Sequence, residues 1–384
     1  MSITTPSQPG TGGFLTFNSR PPRLCITSTA PHPPEKTLLL WKEEGFHVTY
    51  IPYLPSEQAS YIKTIKTFNQ NLELGETYGL VAYGDAASVV LKVAEKPLPK
   101  CCAIVAFYPP ILPSPKHKHP SLLHVAVHTA GLSQMSPDPE TCQWKCYTYE
   151  RCSFGFADPS SEFYSHVEAD LAWSRTLAAM RRGFKMDIDI ESAAQAMWRA
   201  KYSMSSHQGA LAVVSAMTSA SPHVTIAPTM SGGLGRKKLQ EFYSDFFIPS
   251  LVEDFTMRLV SRTIGTNRVV DEIIISFTHT DEIDWILPGV PPTNKFVQVL
   301  AVSVVGVTGG KLVSEHMYWD QASVLVQVGL LDPKVVPKKM RDNGLKRLPV
   351  VSDEGAKMVQ NPTHDGYNGL LKLHGLMDDM ANGS

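Results

Sequence analysis

Four imidazole or phenol side chains stand at the ends of predicted strands in the first half of the chain. His32 follows the first strand, Tyr83 and Tyr108 end the third and fourth strands, and His128 ends "HVAVH". Because the carboxyl ends of parallel strands meet at one edge of a sheet, we expect these side chains to face one cavity. A neutral histidine can accept a phenolic proton, and a tyrosine hydroxyl can polarise a carbonyl. The pattern predicts proton transfer without a covalent intermediate. The alternative is that all four are packed or surface residues.

The elements that would position these residues alternate between strand and helix from residue 23 to about residue 183. Apolar runs such as "RLCITST" and "CCAIVAFYP" are separated by helical segments, which predicts a parallel sheet covered by helices on both faces. Residues 186–232 are predicted as two short helices and a loop. One helix, "RKKLQEFYSDFFI", then precedes long strands punctuated by "GTN" and "TGG". This second pattern predicts helices packed on one side of a curved antiparallel sheet.

The predicted organisation has four parts, and the length of 384 residues favours two cores. A flexible N-terminus covers residues 1–20, an α/β domain residues 21–185, an α+β domain residues 186–335, and a C-terminal extension residues 336–384. The extension is charged and broken by Pro, Gly and Asp, so we expect it to be weakly ordered or to form a lid.

Composition excludes several classes of partner. With 35 basic and 36 acidic side chains the net charge is −1, so no global field attracts nucleic acid or an anionic membrane. The polar N-terminus resembles no secretion signal, and no apolar run is long enough for a membrane span. We therefore expect a soluble, cytoplasmic protein with a small-molecule ligand. Three of the six cysteines, Cys142, Cys146 and Cys152, are close in sequence but lack the spacing of a metal site. No metal and no cofactor are predicted.

Both halves resemble known families. The first half, roughly residues 20 to 183, resembles the dienelactone hydrolase branch of the α/β-hydrolases in "EEGFHVTYIPY", "YGLVAYGDAASVV" and "DLAWSRTLAAM". The second half resembles a SnoaL-like polyketide cyclase domain in "PTMSGGLGRKKLQEFYSDFF", "THTDEIDWILPGVPPT" and "SEHMYWDQASVLVQVGLLDP". The tandem is similar to carboxymethylenebutenolidase-like proteins of fungal secondary metabolism. The resemblance implies an α/β hydrolase-like parallel sheet domain followed by an α+β NTF2-like cone domain.

The hydrolase resemblance also implies a catalytic triad, and its three positions carry other residues in this chain. The family's elbow has the form G-x-C-x-G-G, whereas this chain reads "AYGDAA" and places Gly84 at the nucleophile position. The segment "HTAGLSQMS" offers no carboxylate at the offset of the acid, and Phe154 stands at the position of the histidine. Ester hydrolysis through an acyl-enzyme is therefore not expected, and Gly84 is predicted to border the substrate. Asp85 could be a carboxylate nucleophile or simply the N-cap of the following helix.

The cyclase resemblance implies an acid/base aspartate on a late strand and no cofactor. The matching position is Asp320, and His316 lies four residues earlier, on the same face of a strand with a period of two. Asp284, Trp285 and Trp319 are predicted to bind the substrate, and the aromatic rings could raise the pKa of Asp320. Two alternatives remain: Asp320 caps the segment "QASVLVQVG", or the domain serves only in dimerisation.

The residues and resemblances together predict a cofactor-free isomerase or cyclase that acts on an aromatic, polyketide-derived phenol. A concrete form is addition of a phenolic oxygen to an enone, the ring closure that a chalcone isomerase performs in flavonoid synthesis. We expect a homodimer. One alternative is a lactone or enol-ester hydrolase in which His32 or His128 activates water. The other is a non-enzymatic dimeric ligand-binding protein. The sequence does not distinguish which of the two pockets acts.

Overall fold

The computed structural model describes residues 20–133, 137–138, 140–203, 206–363 and 366–373. Contacts divide the chain into two compact units, Met1–Asp187 and Ile188–Ser384. The finer division into an N-terminal segment, two domains and a C-terminal extension stays a prediction. Almost all of the predicted flexible N-terminus lies outside the described residues, as do residues 134–136 of "HTAGLSQMS".

The first unit is built on a six-stranded parallel sheet. Its strands are β1 (Arg23–Ser28), β2 (His47–Pro52), β3 (Tyr78–Tyr83), β4 (Cys101–Phe107), β5 (His124–Ala130) and β6 (Lys145–Tyr149). Their order in the sheet is β2-β1-β3-β4-β5-β6, and every neighbouring pair is parallel. In β4 each residue after the first is buried, because helices cover both faces of the sheet.

Four helices provide that cover: α1 (Glu35–Glu43), α2 (Gln58–Thr67), α3 (Gly84–Val93) and α4 (His166–Phe184). α1 and α4 share one core, where the rings of Trp41 and Trp173 lie 4.7 Å apart. α2 and α3 share the other core through Ile65 and Val90. The chain therefore leaves β1 towards one face and β3 towards the other, so a crevice opens between these strands at their carboxyl ends, where ligands bind in such sheets.

The second unit combines helices with a mixed six-stranded sheet. The strands are β7 (His223–Ile226), β8 (Ser231–Leu234), β9 (Thr256–Ile264), β10 (Arg268–Thr278), β11 (Phe296–Thr308) and β12 (Lys311–Trp319). The helices are α5 (Glu191–Ser203), α6 (Ser206–Ser215), α7 (Arg236–Glu241), α8 (Gln321–Gln327), α9 (Lys338–Asp342), α10 (Glu354–Gln360) and α11 (Gly369–Leu373). The sheet order is β8-β7-β12-β11-β10-β9, and only the β7–β12 pair is parallel.

Alternate residues of the long strands enter one core together with α5, α6 and α7. α7 runs on into a π-helical turn, Phe242–Phe247, which adds three large aromatic side chains to that core. The predicted "TGG" hairpin joins β11 to β12, where Gly309 and Gly310 both have positive φ, as the two-residue hairpin turn requires.

The structure differs from the sequence expectation in two places in this unit. The predicted loop after the first two helices contains β7 and β8, which pair with each other, and β7 pairs in turn with β12. In the C-terminal extension, α10 packs on β11, with Ala356 buried and the Gln360 amide 2.9 Å from Oε1 of Gln298. The described part of the extension is thus docked through specific contacts.

α4 is the longest helix in the described part of the chain, with 19 residues. It carries charged residues throughout, and none of the described helices is long and apolar enough to cross a membrane. The fold is accordingly a parallel α/β unit followed by an α+β unit with a mixed sheet.

Candidate functional site

The turn between β3 and α3 has the sharp strand-to-helix geometry that the sequence predicts. α3 begins at Gly84, whose φ of +57° lies in the left-handed region that favours glycine. A Cβ atom at Gly84 would meet nothing within 4 Å, so the nucleophile position faces open space. The helix cap is Tyr83, without a side-chain hydrogen bond. Asp85 is exposed in the first helical turn and is therefore not the N-cap, although its charge still suits the helix dipole.

Tyr108 adopts an unusual backbone conformation directly after β4. Its φ is +38°, which is strained for a bulky residue, and its N–H donates to the carbonyl oxygen of His128 at 2.6 Å. Tyr108 is 6% exposed, and its ring lies 6.1 Å from the ring of Tyr83, with Phe154 stacked at 5.9 Å. Strain of this kind is found where the surrounding structure holds a functional group in place.

The hydroxyl groups of Tyr83 and Tyr108 make no hydrogen bond to any described residue. Burial raises the pKa of Tyr83, and the negative charge of Asp158 raises it further. Burial likewise raises the pKa of Tyr108, with smaller contributions from Tyr83 and Asp158. Both side chains are therefore protonated phenols at neutral pH, and each has a hydrogen to donate to a ligand.

Asp158 lies in the loop that follows β6. Its Oδ1 atom accepts hydrogen bonds from the backbone N–H of Ser160 at 2.9 Å and from its hydroxyl at 2.7 Å. Because the charge of Asp158 acts on the pKa of both tyrosines, the three side chains belong to one electrostatic environment. We call Tyr83, Gly84, Tyr108 and Asp158 the strand-end site. The site contains two phenolic hydrogen-bond donors, one carboxylate, and the strand-to-helix turn at Gly84, where the nucleophile position has no side chain. It lies at the carboxyl edge of the sheet.

His32 lies in the loop after β1 and is exposed. The loop is anchored two residues earlier, where the Tyr50 hydroxyl donates to the carbonyl oxygen of Ala30 and Ser28 Oγ accepts from its N–H. β1 neighbours β3, so His32 and Tyr83 stand at the same edge of the sheet. Among the described residues, the His32 ring makes no hydrogen bond or ring contact with the strand-end site, and a catalytic role for His32 stays a prediction.

His128 belongs to the interior of the first unit. It is 0% exposed, its Nδ1 lies 2.9 Å from the Tyr149 hydroxyl, and its Nε2 lies 3.1 Å from the Thr176 hydroxyl. Burial lowers the pKa of His128 to about 3, with Arg175 acting in the same direction. With both ring nitrogens partnered, His128 fits the packed alternative that the sequence left open, and we do not place it in the strand-end site.

An aromatic stack connects His128 to that site. The rings of Tyr83 and Phe107 lie 4.8 Å apart, those of Phe107 and His128 4.5 Å, and those of His128 and Tyr147 5.4 Å. The stack forms because these residues are direct partners across β3, β4, β5 and β6. The stacking contact with Phe107 therefore restricts the orientation of the Tyr83 ring.

In the second unit, Asp320 and His316 do not share a face. β12 ends at Trp319, so the strand period does not extend to Asp320. Asp320 is exposed and caps α8, accepting from the N–H of Ala322 at 3.0 Å and from the Ser323 hydroxyl. This arrangement corresponds to the alternative in which Asp320 serves as a helix cap. His316 is half-buried on the opposite face of β12 from Trp319.

Of the three residues predicted to bind substrate in the second unit, two are buried and one is exposed. Trp285 and Trp319 lie in the core, with their rings 5.9 Å apart at 87°. Asp284 is exposed and accepts from the N–H of Gly289 at 3.0 Å, which closes a turn. Only the two tryptophans face the interior.

The same interior holds a buried ion pair that sequence reasoning missed. Lys201 of α5 is 1% exposed and Glu315 of β12 is 3% exposed, and their side chains form a salt bridge. Glu315 also accepts from the hydroxyls of Tyr243 at 3.3 Å and Ser303 at 3.2 Å. Burial lowers the pKa of Lys201, although Glu315 opposes that shift. We call Lys201, Tyr243, Ser303 and Glu315 the interior cluster.

Two hydrogen-bond donors next to the interior cluster lack partners among the described residues: the hydroxyl of Tyr202 and the indole N–H of Trp285. Both rings pack against Phe247 and Phe255, and the Lys201 ammonium lies 5.7 Å from the Phe247 ring centre. Burial raises the pKa of Tyr202, with Glu315 adding to the effect, so its hydroxyl is a donor.

The missed residues left weak signals in the sequence. Lys201 follows Ala194 and Met197 at the spacing of a buried helix face, and Glu315 alternates with Met317 and Trp319 on the inner face of a strand. A charged residue at a buried position of each pattern indicates a pair, but only the fold shows that the two meet. Asp158 had no periodic signal because it lies in a loop.

Within the described ranges, no group of three or more His, Cys, Asp or Glu side chains has the geometry to hold a metal ion. All six cysteines are free thiols.

Comparison with known proteins gives fold-level likenesses only. No protein-family model matches the chain, and no curated protein matches it. A protein from Jannaschia sp. CCS1 described as a SnoaL-like polyketide cyclase is 14% identical, covers 38% of this chain and 99% of its own, and has a TM-score of 0.32. A protein with a ketosteroid isomerase-like fold from Catenulispora acidiphila is 16% identical over 40% of this chain and 100% of its own, with a TM-score of 0.28.

An NTF2-like protein of unknown function from Burkholderia pseudomallei is 11% identical, covers 37% of this chain and 99% of its own, and has a TM-score of 0.29. Because all these identities are below 25% and all these TM-scores are below 0.5, the likenesses assign neither a family nor a function to this chain.

Proposed function

We propose that this protein is a cofactor-free isomerase or cyclase that closes a ring in a phenolic enone by proton transfer at the strand-end site. In this proposal the first unit is an α/β-hydrolase-like domain without its nucleophile, and the second is an NTF2-like domain. The observation that carries the proposal is a pair of phenols beside the open position at Gly84, the half-buried Tyr83 and the buried Tyr108, whose hydroxyls have no partner among the described residues.

The proposed reaction needs one base and one hydrogen-bond donor. A base removes the substrate's phenolic proton, and the phenolate oxygen forms a C–O bond with the β-carbon of the enone. The π electrons move to the carbonyl oxygen, which accepts a hydrogen bond from Tyr108 or Tyr83 as it becomes an enolate. The α-carbon then takes up a proton, so the product is an isomer of the substrate and no atom is gained or lost.

Two residues can serve as the base. Asp158 is a carboxylate in the electrostatic environment of both phenols, and His32 is an imidazole at the same sheet edge. Phe154 is half-buried and stacks on Tyr108, which adds an apolar ring suited to an aromatic substrate. The hydrolase alternative receives no support from the elbow, because Gly84 offers no nucleophile.

A second candidate places the proton transfer in the second unit. The interior cluster supplies a carboxylate, Glu315, and the neighbouring Tyr202 and Trp285 supply two unpartnered donors for a carbonyl oxygen. This candidate is favoured by those unpartnered donors alone. Glu315 is already held in an ion pair with Lys201, and that contact would have to be broken for Glu315 to act on a substrate.

The test is turnover of a panel of hydroxylated chalcones and other phenolic enones, followed by loss of the enone absorbance and identification of the product by mass. We expect a product of unchanged mass, and slower turnover in His32→Ala and Asp158→Asn, with the larger loss marking the base. Ser160→Ala is the matched control, because it touches Asp158 without removing the carboxylate.

A lactone assay separates this proposal from the hydrolase alternative, in which His32 or His128 activates water. Under the proposal, the wild type isomerises phenolic enones and hydrolyses no lactone or enol ester. Hydrolysis of lactones that is lost in His32→Ala or His128→Gln, together with no isomerisation of any enone, would overturn the proposal.

A further inference from the structure

Two histidines on neighbouring strands of the second unit face each other through their Nε2 atoms. His223 belongs to β7 and His316 to β12, the two Nε2 atoms are 3.2 Å apart, and the ring planes are tilted by 40°. The strands are paired in parallel, with His223 opposite Ser314 and His316 opposite Thr225. Because paired strands hold side chains more firmly than loops do, the spacing of the two rings is set by the sheet.

This spacing matches two imidazole ligands on one metal ion. With Zn–N bonds of about 2.0–2.1 Å and tetrahedral angles, two coordinating nitrogens lie about 3.4 Å apart. Both side chains are half-buried, so part of each reaches solvent. We propose that His223 and His316 form a chelating site for a divalent transition-metal ion, with Zn²⁺ as the probe.

The chemistry of the donors selects the class of ion. Imidazole nitrogen favours Zn²⁺, Cu²⁺ and Ni²⁺ over Mg²⁺ and Ca²⁺, which prefer oxygen ligands. Coordination through Nε2 requires both rings to be neutral with the proton on Nδ1. The described residues offer no third ligand, so water or a small molecule completes the coordination. The site is separate from the residues used in the proposed ring closure.

The competing interpretation is a hydrogen bond between the rings, in which one Nε2–H donates to the other Nε2. A hydrogen-bonded pair and a chelating pair have the same nitrogen spacing within a few tenths of an ångström. They differ in whether the two histidines bind a metal together, which is directly measurable.

The experiment is calorimetric titration of Zn²⁺ into the full chain and into His223→Gln, His316→Gln and His207→Gln. His207 is an exposed histidine of α6 and serves as the matched control. We expect the wild type and His207→Gln to bind one equivalent with equal affinity, and each of the other variants to bind at least about tenfold more weakly, a difference of about 1.4 kcal/mol. Circular dichroism without metal checks that each variant is folded.

Equal Zn²⁺ affinity in the wild type and in His316→Gln, or a wild type that binds no Zn²⁺, would overturn the proposal. If a variant does not fold, electron paramagnetic resonance of the Cu²⁺-loaded wild type decides the matter. Two coordinated imidazole nitrogens support the proposal, and one or none contradicts it.

Discussion

Replacing Tyr108 with phenylalanine separates a functional phenol from a structural one. The substitution removes one oxygen and keeps the ring, so the contacts with Tyr83, Phe154 and Phe156 remain. The hydroxyl has no hydrogen bond to a described residue, and phenylalanine meets the same strain at the φ of +38°. We therefore expect the free energy of unfolding to change by less than about 0.5 kcal/mol.

The expected effect on catalysis is much larger. If Tyr108 donates to the carbonyl oxygen as the enolate forms, its removal costs about 2.7–4 kcal/mol of transition-state stabilisation, a loss of about 10²–10³ in kcat. The interaction strengthens only in the transition state, so kcat and kcat/KM should fall together. The assay is the decay of enone absorbance at saturating and at low substrate, and urea unfolding gives the stability.

Tyr149→Phe is the matched control with the opposite expectation. The Tyr149 hydroxyl lies 2.9 Å from Nδ1 of the buried His128, so removing it leaves a buried ring nitrogen without that partner. We expect a loss of about 1–3 kcal/mol in stability with kcat unchanged. The reasoning would be refuted if Tyr108→Phe were the destabilised variant and kept its full kcat.

Three further outcomes follow from the structure. Glu315→Gln leaves the buried Lys201 ammonium without its ion pair, so urea unfolding should show a loss of about 3–5 kcal/mol, most of it regained in the Lys201→Met/Glu315→Gln double variant. Asp320→Ala removes a helix cap and should cost about 0.5–2 kcal/mol without lowering kcat, whereas Asp320→Asn keeps the cap; a large kcat loss in Asp320→Asn would restore the aspartate as acid/base. The pKa of His128 falls from 6.5 when unfolded to about 3 when folded, so its contribution to stability is complete above pH 6.5 and is lost as the pH falls towards 3. Between pH 7.5 and pH 5 the wild type should lose about 2 kcal/mol more than His128→Gln, and an equal loss in both would contradict the buried neutral imidazole.

The architecture of the first unit could be predicted from the sequence because its signals are local and repeated. Continuous apolar runs such as "CCAIVAF" between amphipathic segments specify buried parallel strands, and the structure has β4 and its neighbours where these runs occur. The turn at Gly84 was also visible, since a glycine between a buried strand and a helix indicates a left-handed residue.

β7 and β8 were not predictable in the same way. Each has four residues, too short for a periodic pattern. β8 pairs only with the adjacent β7, and β7 joins the sheet through β12, which is about 90 residues away in the sequence. The assignment of that segment to a loop reflects what local sequence can show.

The candidate sites also combine features that the sequence predicts with contacts that only the fold reveals. The proximity of Tyr83 and Tyr108 could be predicted because strand ends converge in a parallel sheet, which is a rule of topology. His128 fits that rule equally well but faces inwards, because its side chain bonds to Thr176 on a helix that the rule does not include. The Lys201–Glu315 pair joins residues 114 positions apart, and no spacing in the sequence brings them together.

The central claim is that the first unit carries the reaction, and one comparison tests it most directly. Enone turnover is measured for the full chain carrying Tyr83→Phe/Tyr108→Phe and for the full chain carrying Lys201→Met/Glu315→Gln, each checked for folding. The proposal predicts a loss of at least about 10²–10³ in kcat in the first variant and nearly unchanged turnover in the second. Full activity in the first variant, with activity lost in the second, would contradict it and place the chemistry in the interior cluster.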